Sequence, residues 1–256
     1  MHKALSQLEH LLPFDQPVND EHWIETSAVF AETLWGLSSK LLRAATATFP
    51  KRIFVESKQE VLVTREPAIV VAEFRLRPQS SYYKKTAQEV PRPENPKGDD
   101  ATGIQVGLLL CRRHAIRHRL HGPYLSVEFS VWGRRERASF QEFFSGHRRF
   151  IERLLNDSGL RFRTSTPFAN VDGFRGTNAF RKMDLYFENE FDPEHSFTLE
   201  RTVDSTGTSE ELTQTLASLI ALYDCAVGYC NVKKNRDRAL DYSTWISSKQ
   251  SGAKDL

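Results

Sequence analysis

Cysteine and methionine are scarce in these 256 residues, with three and two copies. An odd and sparse cysteine set (Cys111, Cys225, Cys230) excludes a disulfide scaffold and fits a reducing compartment, so a cytoplasmic location is expected. Thirteen glycines and eleven prolines are too few for a collagen-like or low-complexity chain. No apolar run approaches the ~20 residues that a membrane span needs. Residues 1–10 lack the apolar stretch of a secretory signal, and no membrane association is expected. Neither sign of charge dominates: 35 Lys and Arg against 33 Asp and Glu leave +2. With aromatics at 11%, that balance excludes an intrinsically disordered chain. Also missing are Gly-x-x-x-x-Gly-Lys-Ser/Thr, Gly-x-Gly-x-x-Gly, Gly-x-Ser-x-Gly, His-Glu-x-x-His and Cys-x-x-Cys. Their absence disfavours the common nucleotide, hydrolase and zinc chemistries, and no cofactor is expected.

What is present reads as an α+β protein built on a mainly antiparallel sheet of six to eight strands with packed helices. Phe30, Leu34, Leu37 and Leu41 recur at helical spacing and predict a helix over 20–48, with a shorter one over 1–12. Arg52–Glu56 and Val61–Thr64 are short and β-branched. Ala68–Arg77 alternates, with Val70, Ala72, Phe74 and Leu76 on one side and charge on the other. Gly103–Cys111 is an apolar run, and Tyr124–Trp132 alternates most cleanly. Residues 138–156 carry a helical stripe from Phe140 to Leu155. Strands are expected at 160–165, 181–191 and 196–203. Thr208-Ser-Glu-Glu211 is a capping box that opens a last helix with Leu212, Leu216, Leu219, Ile220 and Tyr223 on its stripe. The expected organisation is an N-terminal helical segment over 1–50 and a single α+β domain over 51–230. That domain holds a polar, Pro-rich insertion at 78–103, and a polar basic tail over 231–256 follows, held by Trp245.

The near-neutral total hides two blocks. Residues 111–182 carry 15 basic and 6 acidic groups, and residues 183–224 carry 1 basic and 10 acidic. Arg far outnumbers Lys in the basic block, which suits bidentate contact with phosphate. Arg112, Arg113, Arg117 and Arg119 form one group, Arg134, Arg135 and Arg137 a second, and Arg148, Arg149 and Arg153 a third on the polar side of the 138–156 helix. Arg175 sits in a Gly173-Phe-Arg-Gly176 loop that could present it to a phosphate. If these groups converge they make a surface for nucleic acid, with Tyr124 or Trp132 placed to stack a base. The competing reading is a solvated face neutralised by the acidic block.

Other constellations carry less. Cys111, His114, His118 and His121 share a helical face, but ten helical residues span about 15 Å, too far for one zinc ion, and no metal site is expected. Asp184, Glu188, Glu190, Asp192 and Glu194 share parity and would line one face of the 181–191 strand, paired with Arg161 and Arg163. Glu73-Phe74-Arg75 resembles the Glu-x-Lys of metal-dependent nucleases only in outline, since an always-protonated Arg is a poor base. The expected function is therefore a non-catalytic protein that binds DNA or RNA, or another polyanion, through the Arg-rich surface, with no catalytic residue assigned. A protein-interaction or regulatory module, with a protein partner or self-association, is the alternative. A divergent metal-dependent phosphodiesterase using Glu73 comes third.

Overall fold

The structure is a computed structural model. It describes residues 20–47, 49, 57–66, 69–78, 103–111, 124–132, 134–156, 159–164, 178–189, 195–203, 208–231 and 238–252. Eleven elements follow in order: α1 (Asp20–Thr46), β1 (Ser57–Glu66), β2 (Ile69–Pro78), β3 (Ile104–Cys111), β4 (Tyr124–Val131), α2 (Arg134–Leu154), β5 (Arg161–Thr164), α3 (Ala179–Asn189), β6 (Phe197–Val203), α4 (Ser209–Asn231) and α5 (Arg238–Gly252). The fold is α+β, as the alternation of strand and helix patterns implies.

The six strands form one antiparallel sheet in the order β1-β2-β3-β4-β6-β5. Period-two alternation gives that sheet two unlike faces. One face is apolar: Phe74 and Leu76 on β2, Ile104, Val106 and Leu108 on β3, Leu125, Val127, Phe129 and Val131 on β4, and Leu199 on β6 are all fully buried. The helices lie on this face in a single core. Phe140 of α2 sits at its centre, with ring centroids 5.6 Å from Phe129 and 5.0 Å from Phe197.

α4 is the central helix. Every residue from Leu219 to Val227 is buried, because it packs against α1, α2, α5 and three strands. Its capping box forms as the sequence predicts: the Glu211 amide donates to Thr208 Oγ1 at 3.2 Å, and the Thr208 amide donates to Glu211 Oε2 at 3.4 Å. α2 carries the expected aromatic stripe but kinks at His147 (φ −128°, ψ 23°), whose Nδ1 lies 2.9 Å from the Phe143 carbonyl oxygen.

Three expectations change. The predicted strand at 181–191 is the helix α3. Its buried residues Ala179, Phe180, Met183, Asp184, Tyr186 and Phe187 follow helical spacing, not alternation. Asn178 starts it by accepting from the Arg181 amide at 2.8 Å. The five acids from 184 to 194 therefore do not line a strand face; Asp184 and Glu188 lie one turn apart and share Arg148. Second, the strand expected at Val61–Thr64 is longer, the ten-residue β1, whereas the strand expected at Arg52–Glu56 lies outside the described residues. Third, 238–252 is helical. Tyr242, Trp245 and Ile246 are buried, and Phe49 packs edge-on against Tyr242 and Trp245 at 5.4 and 4.9 Å. The predicted 1–12 helix and almost all of the 78–103 insertion lie outside the described residues.

Candidate functional site

The second face of the sheet is polar, and none of the described helices packs on it. Register places its side chains in rows. The middle row runs Arg75, Gly107, Glu128, Glu200, Arg161 across β2, β3, β4, β6 and β5. Toward one end lies the row Gln105, Ser130, Thr198, Arg163. Toward the other lies Glu73, Leu109, Ser126, Thr202. Trp132 follows β4 on this side at the Gln105–Arg163 end. It is 53% exposed, and the Arg75 guanidinium stands 6.0 Å from its ring centroid.

Hydrogen bonds knit the rows together. Arg75 donates to Glu73, and Gln105 Nε2 donates to the other Glu73 oxygen at 3.4 Å. Arg163 donates to Glu200 and stands 4.0 Å from Glu128. Ser130 and Thr198 share a hydrogen bond of 3.2 Å. Thr202 donates to Ser126 at 3.2 Å, while Ser126 Oγ lies 3.5 Å from Glu128 Oε1 and 3.3 Å from the Arg201 carbonyl oxygen.

Two features set this face apart from an ordinary solvated one. Gln105, Ser126, Ser130 and Glu200 are nearly inaccessible although they sit opposite the apolar core. And Glu128 faces Glu200 directly across the strand pair, an arrangement that is unfavourable when both are ionised. The Glu128 carboxyl is pushed up from 4.5 to about 7, first by burial and next by the Glu200 carboxylate; Arg163 opposes this, and Glu73 adds to it. Gly107 breaks the rows. A glycine inside a regularly paired strand often marks a close approach of another group. A Cβ there would meet Glu73 Oε1 and Leu109 Cδ1 at 3.4 Å, so the side chains of Glu73 and Leu109 close over the glycine.

Of the eleven arginines expected at a nucleic-acid surface, four have described side chains. Arg112, Arg113, Arg117, Arg119 and Arg175 lie outside them. Arg134 and Arg135 open α2, and their side chains are outside the description. Arg137 is buried and donates to the Trp132 carbonyl. Arg148 bridges Asp184 and Glu188 at 2.5 and 2.8 Å. Arg149 and Arg153 are exposed on α2, in the helical layer and so on the other side of the sheet from its polar face. Sequence reasoning singled out Glu73 and Trp132 but missed Glu128 and Glu200. Their signal was present as polar positions in alternating strands, but only register shows that they meet.

Among the described residues, no group of three or more His, Cys, Asp and Glu is arranged to hold a metal ion. His114, His118 and His121 lie outside the description. No described helix is long and apolar enough to cross a membrane. No known protein family matches the chain, and neither a curated protein nor a solved structure is similar to it.

Proposed function

We propose that this chain is a non-catalytic binding protein for single-stranded nucleic acid, and that the polar face of the sheet is its binding surface. One observation carries the reading. Exposed Trp132 stands just past β4, one step beyond the row in which Ser130 and Thr198 lead to Arg163 on β5. Two strand spacings across the sheet and two residues along it separate Trp132 from Arg163, about 12 Å. Aromatic ring, hydroxyls and guanidinium thus succeed one another as base, sugar and phosphate do in a nucleotide. A base stacked on an aromatic side chain is bound with little regard to its identity. Arg161, exposed beside Arg163, adds a second phosphate contact. The exposed Arg149 and Arg153 of the Arg-rich block lie on a separate surface, on the helical side of the sheet. A cytoplasmic setting fits the free, buried Cys225, whose thiol burial holds well above its ordinary value.

The test is fluorescence anisotropy with labelled single strands of DNA and RNA across a salt series. Each neutralised phosphate contributes about 0.7 to the slope of log affinity against log salt for a single strand, so Arg161 and Arg163 predict a slope of about 1.4. Arg161→Glu should lower it by about half. An absence of binding at low salt would overturn the proposal.

A second reading, a protein partner or self-association, is favoured by the edge position of β1, a ten-residue strand with Leu62 exposed on its polar side. Light scattering that shows a concentration-dependent dimer, lost in Leu62→Lys, would support it; a monomer at every concentration, with no partner retained, would count against it.

A further inference from the structure

We infer that ligand binding on the polar face is proton-linked through Glu128, an inference that rests on the reading above that this face takes a phosphate-bearing ligand. The geometry is a charge count over one cluster. Three carboxylates share the polar face: Glu128 on β4 and Glu200 on β6 stand directly opposite, and Glu73 on β2 lies one row off, beyond β3. Arg75 is bonded to Glu73, and Arg163 is bonded to Glu200. β3 contributes no charge to the cluster, only Gln105 and the bare backbone of Gly107. Arg161 stands opposite Glu200 at the outer edge. Glu128 is the carboxyl whose cation is most remote, with Arg163 at 4.0 Å and already bonded to Glu200, and with the Ser126 hydroxyl at 3.5 Å.

Two states of the face follow. With Glu128 ionised, the three carboxylates balance Arg75, Arg163 and the edge residue Arg161, and the face offers an anion no net positive charge. With Glu128 protonated, the same face carries one net positive charge, and the Glu128 hydroxyl becomes a donor beside Gly107. A phosphate oxygen or a base carbonyl is held more tightly in the second state than in the first. Burial and the facing Glu200 place the exchange between the two states near neutral pH. The proton taken up is thus the counter-charge that the face lacks. Glu128 acts as a positioning and gating group here, not as a catalytic one.

The experiment measures the affinity of a labelled single-stranded oligonucleotide at about pH 6 and about pH 8, at constant ionic strength, for wild type and Glu128→Gln. A one-proton linkage centred near 7 predicts about tenfold weaker binding at the higher pH in wild type and a ratio near one in Glu128→Gln. Equal wild-type affinity at both pH values, with saturable binding, would overturn the linkage and leave the binding surface standing. A tenfold loss retained in Glu128→Gln would assign the proton to another group. No binding at either pH would remove the binding reading and this inference with it. A carbon-13 titration of the Glu128 carboxyl gives a readout free of any variant. Its midpoint should rise when the oligonucleotide saturates the protein, and a midpoint that stays put would contradict the coupling.

Discussion

Glu128 is the residue on which the polar face turns. Its carboxyl holds a proton more tightly in the folded chain than its ordinary 4.5, at about 7. A raised carboxyl contributes stability that is fully present below about 4.5 and is lost as pH rises through about 7. Between about pH 5 and about pH 8 that loss amounts to roughly 2–3 kcal/mol for this group. Denaturant midpoints should therefore fall over that range in wild type, and the fall should be smaller by that amount in Glu128→Gln; equal slopes in the two proteins would remove the raised carboxyl from the account. Gly107 offers a second test at this scale. A methyl group there meets Glu73 and Leu109 at van der Waals distance and relieves the backbone entropy cost of a glycine in a strand. Gly107→Ala should keep the wild-type denaturation midpoint or raise it by up to about 1 kcal/mol, yet weaken binding by adding bulk beside Glu73 and Glu128. Unchanged affinity would show that no ligand group reaches this point. Neither residue announced itself in the sequence. Glu128 reads there as one polar position among several, and its meeting with Glu200 depends on the register between β4 and β6, two strands whose first residues, Tyr124 and Phe197, are 73 positions apart in the chain.

At the scale of elements, the capping box of α4 and the stripes of α1, α2 and α4 were legible because helix start signals and apolar spacing agreed. Thr208→Ala should cost about 1 kcal/mol, read as a lower denaturation midpoint. The segment 179–189 was not legible, because its apolar residues satisfy both periods for part of their length. Met183, Leu185 and Phe187 alternate, whereas Phe180, Met183 and Phe187 fit a helix. The cap at Asn178 was the discriminating signal. The two assignments differ in what they bury. In the helix Tyr186 is buried and Leu185 only half-buried; in the strand that order is reversed. Tyr186→Ala should cost about 3 kcal/mol and Leu185→Ala clearly less. The opposite ranking would restore the strand. Arg148 joins this helix to α2 through buried Asp184, so Asp184 and Glu188 are neutralised by a partner other than the Arg161 and Arg163 that the strand reading chose.

The described residues make a one-sided sandwich: helices and core on one face of the sheet, a hydrogen-bonded ionic lattice on the other. The helical layer extends to α5, which closes over buried Asp224. Arg238 and Tyr242 both donate to that carboxylate, Tyr242 at 3.1 Å. Burial, with Asp224 beside it, raises the Tyr242 phenol, so it stays a donor throughout the ordinary pH range. Deleting 238–256 should cost about 5 kcal/mol, from the lost burial of Tyr242, Trp245 and Ile246 and the stranded Asp224 charge, and should leave a chain that aggregates; a well-folded truncated protein would contradict this packing. This helix escaped the sequence reading because its apolar residues are few and its neighbours are polar. Among the described residues, arginines of the basic block are divided between the core edge, an ion pair and the outer helical surface. The central claim, that nucleic acid lies on the polar face and not on the arginines of α2, is tested most directly by comparing oligonucleotide affinity in Trp132→Ala with that in the double variant Arg149→Glu, Arg153→Glu. Loss of one stacked base predicts about 5- to 150-fold weaker binding for Trp132→Ala and a much smaller change in the double variant. Wild-type affinity in Trp132→Ala, with binding abolished in the double variant, would move the surface to the helical layer and contradict the account.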